Sequence, residues 1–161
     1  MGWSITKFSG EEIIEIAIQM EESGKLFYEK AKSLAEGDNL KDVLTYLAQE
    51  EEKHVQDFSK LGQSINYSFL PNEKYPGEYE EYVRSLVNSH IFKLTEVDDL
   101  IKGIKNDKDI LQMAISFEKD SIVFFQELKN MGNKTASGML EKLIDEERGH
   151  IKKIVAILKD M

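Results

Sequence analysis

Six residues in this chain have the side chains and the spacing from which a metal centre can be built: Glu21, Glu51, His54, Glu118, Glu147 and His150. Glu51 and His54 form one Glu-x-x-His pair, and Glu147 and His150 form a second. On an α-helix, residues i and i+3 project from the same face, so each pair offers one carboxylate and one imidazole to a single partner. The sequence contains no cysteine. Disulfides, zinc ribbons, thiolate iron–sulfur sites and cysteine nucleophiles are thereby excluded, and any metal must be held by carboxylate and imidazole. Four carboxylates brought together in a core do not persist alone, because an unpaired buried charge is very costly. Two divalent cations cancel them, and neutral imidazoles complete the coordination. A single Glu-x-x-His is expected by chance in a glutamate-rich chain; two such pairs with two matched lone glutamates are not.

Long helices must position these residues. The only two prolines, Pro71 and Pro76, lie in one central stretch. On either side the apolar residues recur at steps of three and four. Helix A is predicted over 10–35, with Ile13, Ala17, Met20, Gly24, Phe27/Tyr28, Ala31 and Leu34 on its stripe. Gly37-Asp38-Asn39 reads as a stop and a fresh start. Helix B is predicted over 39–61, ended by Gly62. Helix C is predicted over 107–130, closed by Gly132-Asn133, and helix D over 134–159. The stretch 63–106 reads as an extended crossover, with a short helix near 78–92 and a second capped by Thr95, with Glu96 and Asp98 in its first turn. The pattern is one ferritin-like four-helix bundle spanning residues 1–161: an all-α domain of two antiparallel helical hairpins joined by a long crossover with short helices.

A repeat supports this arrangement. Helix A holds Ala17, Glu21, Gly24 and Tyr28, and helix C holds Ala114, Glu118, Ser121 and Phe125 at the same internal spacing. The stripe of helix B runs Leu40, Leu44, Leu47, Glu51, His54, Phe58, Leu61, straight through the glutamate and the histidine. That of helix D runs Leu140, Leu143, Glu147, His150, Ile154, Ile157. All six ionisable groups therefore occupy positions that the pattern gives to the core. The midpoint between Glu21 and the Glu51/His54 pair falls near residue 37, and that between Glu118 and the Glu147/His150 pair near residue 133. Both are predicted turns, so the ligands of each hairpin are level, roughly 24 Å from the turn at 1.5 Å per residue. Gly24 and Ser121 are small and are expected to leave room beside the metals.

The remaining composition narrows the function classes. A formal net charge of −9 argues against nucleic acid as a partner, since phosphate binding needs clustered Lys and Arg. Met1 to Gly10 hold no apolar signal core, and no apolar run approaches the roughly 20 residues needed to span a bilayer. A cytoplasmic location without membrane contact is expected.

At Glu21 with Tyr28, Glu51-Glu52-Lys53-His54, Glu118 and Glu146-Glu147-Arg148-Gly149-His150, the chain resembles the ferritin-like superfamily and, within it, the rubrerythrin family. The resemblance covers all four long helices. It implies a centre of two iron ions, with manganese or zinc as alternatives, and reduction of hydrogen peroxide or oxygen with electrons from an external rubredoxin-type donor. It also implies Tyr28 as a catalytic side chain near a metal-bound carboxylate, and a homodimer. Two departures stand out. Rubrerythrins proper carry a C-terminal rubredoxin domain with four cysteines, and this sequence has no cysteine. They also carry a further glutamate one turn beyond the helix C ligand, where this chain has Ser121; that carboxylate supports the peroxide reaction in the family. Ferroxidase or iron handling, and a bundle whose metals only neutralise buried charge, stay open beside the redox reading.

Other candidates read as ordinary structure. Glu22, Glu50, Glu52 and Glu146 are expected to be solvated, with a supporting or alternative ligand role weighed for each. Tyr28 as a mere core aromatic stays open. His90 is without a partner at ligand spacing. Met20, Met113 and Met139 read as core filler, and Lys102, Lys105 and Lys108 as a solvated face.

Overall fold

A computed structural model of the chain describes residues 10–63, 78–89, 96–131 and 134–161. These form six helices: α1 (Gly10–Leu34), α2 (Asp38–Gln63), α3 (Glu78–Ser89), α4 (Val97–Lys102), α5 (Asp107–Met131) and α6 (Lys134–Lys159). Among the described residues there is no strand. None of the described helices is long and apolar enough to cross a membrane. Pro71, Pro76, His90, Thr95 and the Gly132-Asn133 turn lie outside the described residues.

The four long helices form two antiparallel pairs, α1 with α2 and α5 with α6. The pairs join through α2 against α6 and α1 against α5, while α4 lies on α1 and α3 on α5. This is the expected ferritin-like bundle. At the α1–α2 turn, the carboxylate of Asp107 accepts hydrogen bonds from the backbone N–H of Glu36 (2.8 Å) and of Gly37 (2.9 Å). The start of α5 is thus tied to that turn, which puts the two hairpin turns at opposite ends. Gly37 does not adopt a left-handed backbone. Its carbonyl accepts the first α2 bond from Lys41 at 3.0 Å, and a Cβ there would lie 3.3 Å from Asp107 Oδ2. Close approach is the demand on this glycine.

Local departures from the periodic reading are small. Leu34 is 46% exposed, and Ala35 beyond it is buried instead. α2 runs through Gly62, where a Cβ would approach Ile14 at 3.3 Å. Glu96 stands at the N-cap of α4 without a side-chain cap bond, so Asp98 and Asp99 supply its acidic first turn.

Two apolar clusters fill the bundle. One takes in Ile13, Met20, Phe58, Phe125 and Leu140. The other takes in Phe27, Leu44, Phe117, Ile110 and Ile154. Each fully buried large side chain contributes about 1.5–3 kcal/mol, and these clusters offset the cost of the polar layer that separates them. Met20 lies fully inside, and Met139 and Met113 pack at the margins of the two clusters.

Candidate metal centre

The layer between the clusters consists of Glu21, Glu51, His54, Glu118, Glu147 and His150, each between 0% and 1% exposed. The helical period carries them inward: Glu51 and His54 continue the stripe of Leu44, Leu47 and Phe58, and Glu147 and His150 that of Leu140, Leu143 and Ile154. The neighbouring Glu22 points to solvent, because successive residues turn about 100° around a helix.

The two imidazoles are stacked, with ring centres 5.6 Å apart and planes 21° from parallel. Each turns its Nδ1 into the layer. His54 Nδ1 stands 2.9 Å from Glu21 Oε2, 3.2 Å from Glu147 Oε1 and 3.4 Å from Glu51 Oε2. His150 Nδ1 stands 2.9 Å from Glu147 Oε2, 3.4 Å from Glu118 Oε2 and 3.7 Å from Glu51 Oε1. Two groups of four ligand atoms result, Glu21-Glu51-His54-Glu147 and Glu51-Glu118-Glu147-His150, with the atoms of each group within 4.8 Å of one another. Glu51 and Glu147 belong to both groups, whereas Glu21 and Glu118 belong to one each.

Three observations test whether this set fits metal ions. Ligand atoms on opposite sides of an ion at about 2.1 Å stand about 4.2 Å apart, comparable with the 4.8 Å within which the atoms of each group lie. Glu21 Oε1, both oxygens of Glu51, Glu118 Oε2 and Glu147 Oε1 are buried without a hydrogen-bond partner. Buried polar atoms are ordinarily satisfied, and a cation among these oxygens would satisfy them together. The donors are hard oxygens and imidazole, a set that suits iron, manganese or zinc. The residues fit.

The side chains alone share protons in a way that marks the same strain. Burial pulls His150 down, yet the adjacent carboxylates of Glu118 and Glu147 raise it to about 11. In His54, burial is likewise outweighed by Glu147, Glu21 and Glu51, and the imidazole holds its proton far above the ordinary range. Burial and repulsion from Glu147 lift Glu118 to about 8. Glu51 rises well above a carboxyl's usual value through burial and the charges of Glu21 and Glu118. Glu21 rises through burial and Glu147. In Glu147, burial and Glu51 push upward, but its close contacts with Glu118, His150 and His54 prevail and the value falls. Such opposed shifts cluster at functional sites.

Around the layer, the buried Tyr28 hydroxyl donates to Glu118 Oε1 at 2.6 Å. Tyr28 is therefore more than a core aromatic. Glu146, read as solvated, is one-third exposed and sets its Oε2 3.0 Å from His54 Nε2. Glu50 is also mostly covered; it pairs with Lys53 and lies 4.0 Å from His150 Nε2. Glu52 is a surface partner of Lys25 at 2.8 Å. Sequence periodicity places Glu50 and Glu146 beside the stripe but does not show what they reach across the bundle. The space beside Gly24 is not left for a metal: a Cβ there would stand 2.2 Å from Phe117 Cζ, so the ring occupies it. Ser121 is buried, with its Oγ unpartnered. Lys102, Lys105 and Lys108 are exposed.

Comparisons with known proteins bear on the same residues. The family model described as Rubrerythrin matches residues 12–104, the span that holds Glu21, Tyr28, Glu51 and His54. A solved structure described as a ferritin-like diiron-carboxylate protein from Thermotoga maritima matches with a TM-score of 0.70 at 24% identity, over 96% of this chain and 97% of that one. At that identity the likeness shows the fold. An uncharacterized protein of Archaeoglobus fulgidus is 36% identical over 58 residues, which is 32% of this chain and 92% of the relative.

Proposed function

The chain belongs to the rubrerythrin family, and from that premise we propose that it is a non-haem di-iron redox protein reducing hydrogen peroxide or oxygen with electrons from an external rubredoxin-type donor. The observation that carries this reading is the pair of overlapping ligand groups that share Glu51 and Glu147. Carboxylates common to both groups would hold two ions near one another. Bound there, two iron ions would supply the two electrons that cleave the O–O bond of peroxide, which with two protons leaves as two waters.

The chain's own residues define the rest. Glu21 and His54 would complete one position, and Glu118 and His150 the other. Tyr28, on α1, holds Glu118, on α5, by its hydroxyl proton and so fixes one oxygen of that ligand. The apolar clusters on both sides, with Phe27 and Phe117 next to Tyr28, keep bulk water from the layer. A second reading, iron oxidation with iron itself as substrate, draws on Ser121. The position one turn beyond Glu118 offers a hydroxyl, not the further carboxylate of peroxide-reducing relatives.

The test is to load the protein with ferrous iron without oxygen and mix it in stopped flow with peroxide and, separately, with oxygen. Oxidation by peroxide, followed by re-reduction by a rubredoxin and repeated turnover, is the expected result. Oxidation by oxygen with release of ferric iron and no turnover would instead support the second reading. Two bound ions inert to both oxidants would leave only charge neutralisation.

A further inference from the structure

The internal repeat makes the two ligand groups alike in composition, yet their surroundings differ in two ways. The outward nitrogens of the histidines are the first. His54 Nε2 meets the carboxylate of Glu146 at 3.0 Å. The matching contact in the other half, Glu50 to His150 Nε2, is longer at 4.0 Å, while each carboxylate has a lysine beside its other oxygen, Lys53 at Glu50 and Lys142 at Glu146. His150 Nε2 is buried with no hydrogen-bond partner, and its ring stands nearly perpendicular to that of Tyr46, with centres 6.0 Å apart. The lone glutamates are the second. One oxygen of Glu118 is committed to the Tyr28 hydroxyl. Its counterpart Glu21 faces no such hydroxyl, because the repeat puts Phe125 where the other half has Tyr28; Glu21 Oε1 is buried and unpartnered.

Both differences act in the same direction. A carboxylate that accepts the distal N–H of an imidazole fixes its tautomer, aims the other nitrogen at the metal and raises its basicity; loss of such a partner typically costs 10–100-fold in affinity. A hydroxyl that donates to a ligand carboxylate withdraws charge from it and leaves one oxygen for the ion. Resting on the di-metal reading above, we propose that the two positions are inequivalent. The His54 position, completed by Glu21 and supported by Glu146, fills first and holds its ion more tightly than the His150 position. Glu146 is then a positioning residue that acts through His54.

Cobalt(II) alone, added without oxygen, is the probe. Its binding isotherm should show two steps whose dissociation constants differ by about tenfold or more. Crystals carrying one equivalent should place the anomalous peak beside His54. Mutual repulsion of two ions would also give two steps, but with the first ion divided between the positions. In Glu146→Ala the tighter step should weaken by about 10–100-fold, and the first ion should be shared with or moved to His150. Glu146→Gln keeps an acceptor without the charge and should recover part of the preference, which a general loosening of the helix would not permit. The mirror variant Glu50→Ala should leave the first ion beside His54. Equal occupancy in the unaltered protein, or an undiminished preference in Glu146→Ala, overturns the inference while leaving the di-metal reading intact. Absence of any bound cobalt overturns both.

Discussion

The hydroxyl of Tyr28, on α1, lies 2.6 Å from Oε1 of Glu118, on α5, and joins the two halves of the bundle at the level of the candidate ligands. Burial and the charge of Glu118 hold the phenol well above its usual value, so the proton stays on Tyr28. Tyr28→Phe keeps the edge-on ring contacts with Phe27 and Phe117 but leaves a buried carboxylate oxygen without its donor. The expected cost is about 1–3 kcal/mol, or a fall in melting temperature of roughly 2–12 °C at 2–4 °C per kcal/mol. Calorimetry of the metal-loaded protein checks this; an unchanged transition would mean that the hydrogen bond contributes nothing.

Sharing of Glu51 and Glu147 predicts a graded loss of metal. Glu51→Ala and Glu147→Ala should each deplete both positions, whereas Glu21→Ala and Glu118→Ala should chiefly deplete one. Glu52→Ala should change little, since its carboxylate lies at the surface with Lys25. Elemental analysis of protein purified without oxygen reads all five. If Glu52→Ala loses metal and Glu51→Ala retains it, the ligand register is wrong by one residue.

Stability of the metal-free protein should fall as pH rises. Glu118 goes from an ordinary 4.5 to about 8 on folding, and His150 from 6.5 to about 11. In each case the native state binds more protons than the unfolded chain between the two values. The resulting stability is complete below the unfolded value and is lost as pH climbs through the folded one. Glu147, whose value falls on folding, works the other way, with stability present above 4.5 and lost as pH drops. Metal binding needs deprotonated ligands and so strengthens with pH, releasing the ion below about pH 5. Melting curves in chelator and in excess metal should therefore diverge from pH 5 to pH 8, with the loaded form higher. Parallel curves would contradict this.

Gly24→Ala tests the contact that replaced the expected open space. Alanine gains about 1 kcal/mol of helix propensity over glycine. Against that, its Cβ would sit 2.2 Å from Phe117 Cζ, and overpacking a filled core costs typically 1–3 kcal/mol or more. The clash should win, because Phe117 is fully buried and cannot swing to solvent. A net loss of stability is expected in chemical denaturation, relieved when Phe117→Leu is added. A more stable Gly24→Ala variant would show that the ring moves freely.

The helices, the inward face of each and the single polar layer were legible in the amino-acid sequence. The reason is that they depend on periodicity: apolar residues at three- and four-residue steps define a face, and Glu51, His54, Glu147 and His150 continue it without a break. Equal spacing from the turns placed the layer, since rise per residue is constant along a helix. What periodicity cannot carry is which atom meets which across the bundle. Only the tertiary structure decided that Glu51 and Glu147 enter both ligand groups while Glu21 and Glu118 enter one. It alone brought Glu146 onto His54 from the opposite hairpin, filled the space at Gly24 with Phe117 and tied Asp107 to the α1–α2 turn. Those contacts depend on side-chain torsions and on the rotation of one helix about its axis against another. Neither is a property of any single segment, so the repeat could make the two halves look alike while their neighbours made them different.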